Sequence, residues 1–432
     1  MPGPRLNLPS RPSHRFSLSL SLALSLGLFL LCVSPGALAA SLNDLPPAVY
    51  EQVAMLTSTD GISYDHFGSS VAISTDGNTI VVGLNNGEHN AAYVFVKPAG
   101  GWANATETAE LTPSDGGYAF GSSVAIAGNT IFVASQISTQ VNETQYTRGA
   151  VYIYEAPTSG WVSSTETVKL TVGPNYAVAI TIAAAGNSLA ATFTSQNNPP
   201  TAGGIFVWNK PAAGWGKQAA AATLITSDQN FIFDSLAFST TGNTLVAGGN
   251  NGVVYLWSKP AAGWNEKNLI QTAELITSDG NTGDNLGSSV AATDTTVVSG
   301  APGRNAGDGA AYVYVKPSGG WVNAEETAQL SAADGPDLGF GVAVSGNSIF
   351  AGSAYANVGG TFQAGAVFLY NKPSAGWKTT STFASELVAT SPLEQAYMGT
   401  ALAVGGGTII AGAPGATLGS NIDQGTAYVF EQ

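Results

Sequence analysis

An all-β fold, a seven-bladed β-propeller of four-stranded blades, is predicted for this 432-residue chain by three observations. A unit of about 56 residues recurs seven times, a period typical of propeller blades and solenoid turns. Each unit holds four short runs rich in Val, Ile, Tyr, Phe and Thr, separated by turns containing Gly, Asn and Pro, which is strand chemistry. The fourth run is missing after Phe430, where the chain stops two residues later. It stands instead near the start, where VAMLTSTDG (53–61) reads like AELTPSDG (109–116). An N-terminal strand completing the last blade closes the ring, and closure removes the unpaired edge that an open solenoid would expose.

The first strand of each unit is of the type G-x-x-V-A and ends in a tight turn. It reads FGSSVAISTDGNT (67–79), FGSSVAIAGNT (120–130), LGSSVAATDTT (286–296), LGFGVAVSGNS (338–348) and MGTALAVGGGT (398–408). Its small residues suit a crowded position around a central channel. Two copies are worn, and read with Tyr176-Ala177 and Ile232-Phe233 where the others carry Phe-Gly. The second strand is apolar on consecutive residues, as IVVG (80–83), IFVA (131–134) and IIAGAP (409–414), the pattern of a strand buried on both faces. The third alternates around aromatics, as GAVYIY (149–154), GVVYLW (252–257), GAAYVY (309–314) and GTAYVF (425–430), whose rings can fill the widening space between sheets. A KPxxGW-type turn follows, with Trp102, Trp161, Trp215, Trp264, Trp321 and Trp377, each expected to pin its turn by packing. The fourth strand carries Thr, Glu and Lys and suits the exposed outer edge.

Composition narrows the class. Charged residues are 10% against about 25% in an average domain, while 44% are hydrophobic, so the chain is not disordered. A formal charge of −14 argues against nucleic acid, whose binders cluster Lys and Arg. Arg5, Arg11 and Arg15 precede an apolar run (18–33) and an Ala37-Leu38-Ala39 ending, the order of a secretory signal peptide. The expected division is therefore a signal peptide over 1–39, a lead-in over 40–52 and the propeller over 53–432. Cleavage after Ala39 removes Cys32, the lone cysteine, and leaves 11 Lys and Arg against 28 acids, a charge of −17. No other apolar run is long enough to span a membrane, and a monomer is expected.

Phe67-Gly68, Phe120-Gly121, Gly300-Ala301-Pro302 and Gly412-Ala413-Pro414, together with the Gly-x-x-Tyr-Val-Tyr strands, resemble the FG-GAP repeats of integrin α-subunit propellers and of secreted bacterial propellers. The resemblance covers residues 53–432. It implies an extracellular or periplasmic binding or adhesion module. It also implies where calcium would sit, in a D-x-D-x-D-G loop between first and second strands. Here those loops read STDGNT, AGNT, AAGNS, TTGNT, ATDTT, SGNS and GGGT, without two spaced acids. Calcium requires six to eight oxygens, so neither structural calcium nor any other cofactor is expected.

In that topology the loops between second and third strands share a face with those entering each first strand. These are long and varied, as binding loops on a rigid scaffold are. Tyr64, Asp65, His66, Glu88, His89, Tyr146, Arg148, Asp284, Arg304, Asp308, Tyr355 and Asp423 lie in them and are the candidate ligand-binding residues. Acids with aromatics suit a glycan or a basic protein patch. The leading expectation is a secreted, non-catalytic module recognising a protein or glycan through this face. With no cysteine left and only His66 and His89, which fall in one blade, the alternative is a polysaccharide lyase or hydrolase of propeller fold. A purely structural envelope protein comes third.

Overall fold

The computed structural model describes residues 1, 3, 49–85, 89–141, 144–171, 176–177, 181–195, 203–227 and 233–432. The signal-peptide reading of 1–39 falls outside these residues but for Met1 and Gly3. Residues 47–432 form one compact unit of seven antiparallel four-stranded blades. Blade 1 shows the plan, with Ser70–Ile73 innermost, then Thr79–Gly83, Ala92–Val96 and Ala109–Thr112 outermost. The innermost strands of successive blades pack on one another around the ring, and that of blade 7, Ala401–Gly405, meets Ser70–Ile73 of blade 1.

Closure follows the expected route. Glu51–Thr57 pairs antiparallel with Thr426–Glu431, from Glu51 opposite Glu431 to Leu56 opposite Ala427, as the outer strand of blade 7. The strand begins two residues ahead of the sequence-derived propeller boundary. Leu56 and Ala54 are buried with Phe67, Tyr93 and Val429, so the exchanged strand contributes core as well as hydrogen bonds. The Lys97 ammonium meets Glu431 at 2.7 Å and ties blade 1 to the end of the chain.

A feature that the repeat pattern left unread lies outside the fourth strand. After Trp102, Trp161, Trp264 and Trp321, a two-residue strand turns back parallel to the outer strand of the preceding blade: Ala105–Thr106 on Leu56–Thr57, Ser164–Thr165 on Leu111–Thr112, Leu269–Ile270 on Leu224–Ile225, and Ala324–Glu325 on Leu275–Ile276. One residue farther along, Glu107, Glu166 and Glu326 accept the backbone N–H of Thr59, Ser114 and Ser278 in the neighbouring blade, at 2.8–3.0 Å. The recurrent T-E-T-A-E-L and S-D-G signatures are thus two halves of an inter-blade staple.

The core is divided among the seven inter-blade spaces. The FG phenylalanines lie against the third-strand rings of their own blade, Phe67 on Tyr93 and Phe120 on Tyr152, with centroids 5.5 and 5.3 Å apart. The KPxxGW tryptophans wedge between their blade and the preceding one. Trp264 is wholly buried and donates to the Gly242 carbonyl at 3.1 Å, whereas Trp161 is only half-buried. The FG and GAP glycines meet across the same spaces: a Cβ on Gly300 would overlap the carbonyl oxygen of Gly339, and one on Gly412 that of Gly68.

The worn blades are corrected in register. Thr192 donates its N–H to Thr181 as Ala134 does to Ser123, so the FG position of blade 3 falls on 178–179, outside the described residues, and not on Tyr176-Ala177. In blade 4, Phe233 stands against Tyr255 and Trp257 as Phe67 stands against Tyr93 and Phe95, so it fills the phenylalanine place and not the glycine place. The wear has a physical partner. Where the next blade lacks an FG glycine, the GAP glycine is absent from the sequence as well, its place taken by Ala134 and Thr192. Residues 135–141 and 144–149, which lie in a stretch expected to be a loop, form instead a ladder between Thr130–Val141 and Thr144–Glu155.

Candidate functional site

The antiparallel order puts the second-to-third and fourth-to-first loops on one face, as expected, and the twelve candidate residues divide into separate groups on it. Glu88 lies outside the described residues, as does the side chain of Tyr146 in the long hairpin of blade 2. Arg148, in the same hairpin, is half-buried and its Nε has no hydrogen-bond partner.

His89 and Asp65 form the centre of the densest group. Asp65 is fully buried and accepts the N–H of Ile62 at 2.8 Å, which locks the loop that enters blade 1. His89 Nδ1 lies 3.1 Å from Asp65 Oδ2, and Nε2 lies 3.0 Å from Asp60 Oδ2. Asp60 also accepts the Tyr93 hydroxyl at 2.8 Å. The Glu110 carboxylate completes the group, with ligand atoms of Asp60, His89 and Glu110 within 4.8 Å of one another. Burial by itself lowers the His89 pKa, but hydrogen bonds and charge from Asp65 and Asp60 outweigh it and hold the imidazole above its ordinary value. Burial, reinforced by the Asp60 charge, raises Glu110. Burial first, then Asp60, pushes the Tyr93 phenol far up, so this hydroxyl stays a donor. Its ring is wholly buried, out of reach of a bound chain.

Sequence reading selected Asp65 and His89 and missed Asp60, Tyr93 and Glu110, which belong to the repeat itself. The missed signal was the repeat register. Asp115 and Asp279 are the counterparts of Asp60, and each accepts the hydroxyl of the matching tyrosine, Tyr152 at 2.6 Å and Tyr312 at 3.0 Å. Each of those carboxylates also meets a protein cation, Lys169 in blade 2 and Arg304 in blade 5.

His66 does not join His89. Its Nδ1 faces the Pro414 carbonyl at 3.4 Å across the seam to blade 7, and its N–H bonds the Asp423 carbonyl. Tyr64 stands beside them, exposed, with its N–H on the Ile422 carbonyl. Asp284 is buried and accepts the Asn281 N–H at 3.0 Å, a turn-locking role equivalent to that of Asp65. Asp308 is exposed after the 304–307 turn. Tyr355 packs edge-on between Phe340 and Tyr397, with centroids 5.5 and 5.3 Å away, to make a half-buried aromatic row.

That row begins at the channel mouth, where Phe340 sits with Ser70, Ser123, Thr181, Asp234, Ser289 and Thr400, contributed by the other six blades. Lining hydroxyls are engaged: those of Ser70, Ser235 and Ser289 each donate at 2.7 Å to the FG carbonyl, or its counterpart, in the next blade, Thr181 donates to the Asp234 carbonyl at 3.2 Å and Thr400 to the Tyr397 carbonyl at 2.7 Å. Among the described residues, no helix is long and apolar enough to cross a membrane.

The sequence profile of the FG-GAP repeat matches residues 50–95, 105–154 and 269–314. Each match joins the outer strand of one blade to the first three strands of the next, in blades 1, 2 and 5, with Phe-Gly intact in blades 1 and 2 and Gly-Ala-Pro in blade 5. No curated protein sequence matches the chain.

Proposed function

The chain is a seven-bladed β-propeller of FG-GAP repeats, and we propose that it works as an exported, non-catalytic module that binds a glycan through its variable-loop face. The aromatic row Phe340–Tyr355–Tyr397 carries this reading. Half-exposed rings on a rigid face offer flat apolar surface for sugar rings, and the polar channel mouth beside them offers partners for hydroxyls. The basic segment, apolar run and Ala-x-Ala ending of residues 1–39 support export.

A glycan array with the purified protein tests the reading. Binding of at least one glycan is expected, and Tyr355→Ala together with Tyr397→Ala should abolish it while the thermal midpoint stays close to that of the parent. An array without signal, beside a pull-down that recovers a protein partner dependent on the same tyrosines, would replace the glycan with a protein ligand.

A further inference from the structure

We propose that Asp60, His89 and Glu110 bind one divalent transition-metal ion of the zinc class at the outer rim of blade 1.

The donor set fits such an ion. Imidazole and carboxylate oxygen are zinc ligands, bound at about 2.0–2.2 Å, and two ligands of one tetrahedral centre therefore stand roughly 3.3 Å apart. His89 Nε2 and Asp60 Oδ2 are 3.0 Å apart, and the ligand atoms of all three residues lie within 4.8 Å of one another.

The surroundings supply the second shell. Asp65, fully buried and fixed by the Ile62 N–H, faces Nδ1 and leaves Nε2 as the coordinating nitrogen. A carboxylate–histidine–metal relay of this kind fixes the ring and raises its basicity as a ligand. Tyr93 donates to Asp60 Oδ1 and leaves Oδ2 for the ion. Asp60 is partly exposed, so water can fill the fourth position.

The repeat provides an independent argument. In blade 2, Lys169 lies opposite Tyr152 and supplies the cation for Asp115; in blade 5, where Gln329 lies opposite Tyr312, Arg304 of the second-to-third loop supplies it for Asp279. In blade 1 the residue opposite Tyr93 is Glu110, an acid. Three carboxylates, Asp60, Asp65 and Glu110, then face a single imidazole. Blade 1 offers Asp60 an imidazole in place of the fixed lysine or arginine charge of its sister blades, and a divalent cation balances the surplus of carboxylates around it.

Zinc chloride titrated calorimetrically into chelator-treated protein tests the proposal. One ion per chain is expected. His89→Ala and Glu110→Gln should each weaken it by about tenfold or more, and Asp65→Asn, removing only the orienting carboxylate, by about tenfold. Glu110→Gln keeps the side-chain shape on an outer strand, so it separates lost ligation from lost folding, and circular dichroism of each variant checks the fold. Absence of stoichiometric uptake, or uptake unchanged by both His89→Ala and Glu110→Gln, overturns the proposal.

Discussion

Gly300 and Gly339 belong to different blades, yet the backbone of one sets the side-chain limit of the other. Alanine at 300 drives its Cβ into a carbonyl that two sheets hold in place, so relief requires the blades to separate. Overpacking of this kind costs about 1–3 kcal/mol. Gly300→Ala should lower the thermal midpoint by several degrees, whereas Gly216→Ala, where a Cβ meets nothing within 4 Å, should leave it nearly unchanged. Differential scanning calorimetry of the pair is the check. A second residue-scale prediction concerns acid. The Arg304 guanidinium holds the Asp279 carboxyl below its ordinary value, against an opposing effect of burial. A depressed folded pKa contributes stability above the unfolded value of about 3.9, and that contribution is lost as pH falls through the folded value. Melting curves from pH 6 downward should therefore drop more steeply for the parent than for Asp279→Asn below about pH 4. Equal slopes would show that the pair, partly exposed, is screened out.

At the scale of the element, short parallel strands bind blades 1, 2, 4 and 5 to their predecessors, and Glu107, Glu166 and Glu326 staple blades 1, 2 and 5. The tryptophan ahead of each staple fills the space beneath it. Removing a fully buried ring costs about 3–5 kcal/mol. Trp264→Ala should consequently destabilise far more than Trp161→Ala, whose ring is half-exposed, and thermal or urea melts of the two variants rank them. The N-terminal strand carries a stronger expectation. Deleting 51–57 exposes the edge of Thr426–Glu431 and the surface that Ala54 and Leu56 cover, so the shortened protein should associate or melt early. A circular permutant that places 51–57 after Gln432 restores the same pairing and should remain monodisperse on size-exclusion chromatography. If deletion had no effect, ring closure would not depend on this strand.

For the whole molecule, the low charge follows from architecture: most strand positions face another blade, and little charge falls on the innermost strands, where Asp234 stands at the channel mouth. The first-to-second-strand hairpins illustrate how such charge is used. Asp76, the acid of STDGNT, accepts the Ser74 hydroxyl at 2.5 Å and the Asn78 N–H at 3.1 Å, so its oxygens serve the turn. Calcium added at millimolar concentration should leave the melting temperature unchanged in differential scanning fluorimetry.

Blade number, strand order and closure were legible in the sequence because each blade must satisfy the same local rules, and a rule repeated seven times stands clear of noise. Strand chemistry, turn glycines and the displaced VAMLTSTDG segment are all local signals. The staples were visible as T-E-T and S-D-G but had no meaning until neighbouring blades were set side by side. The variable-loop face was legible as a set and not as a site: nothing local tells His66 to face Pro414 while His89 turns to Asp60 and Asp65. That choice comes from loop conformation: His66 reaches Pro414, 348 residues along the chain, across the seam between blades 7 and 1, while His89 turns to Asp65 and Asp60, 24 and 29 residues back. The sequence by itself therefore determined the propeller and its closure, since these follow from periodic pairing and burial. Only the tertiary structure decided which side chains meet, since the meetings lie between blades, where distance along the chain carries no information about distance in space.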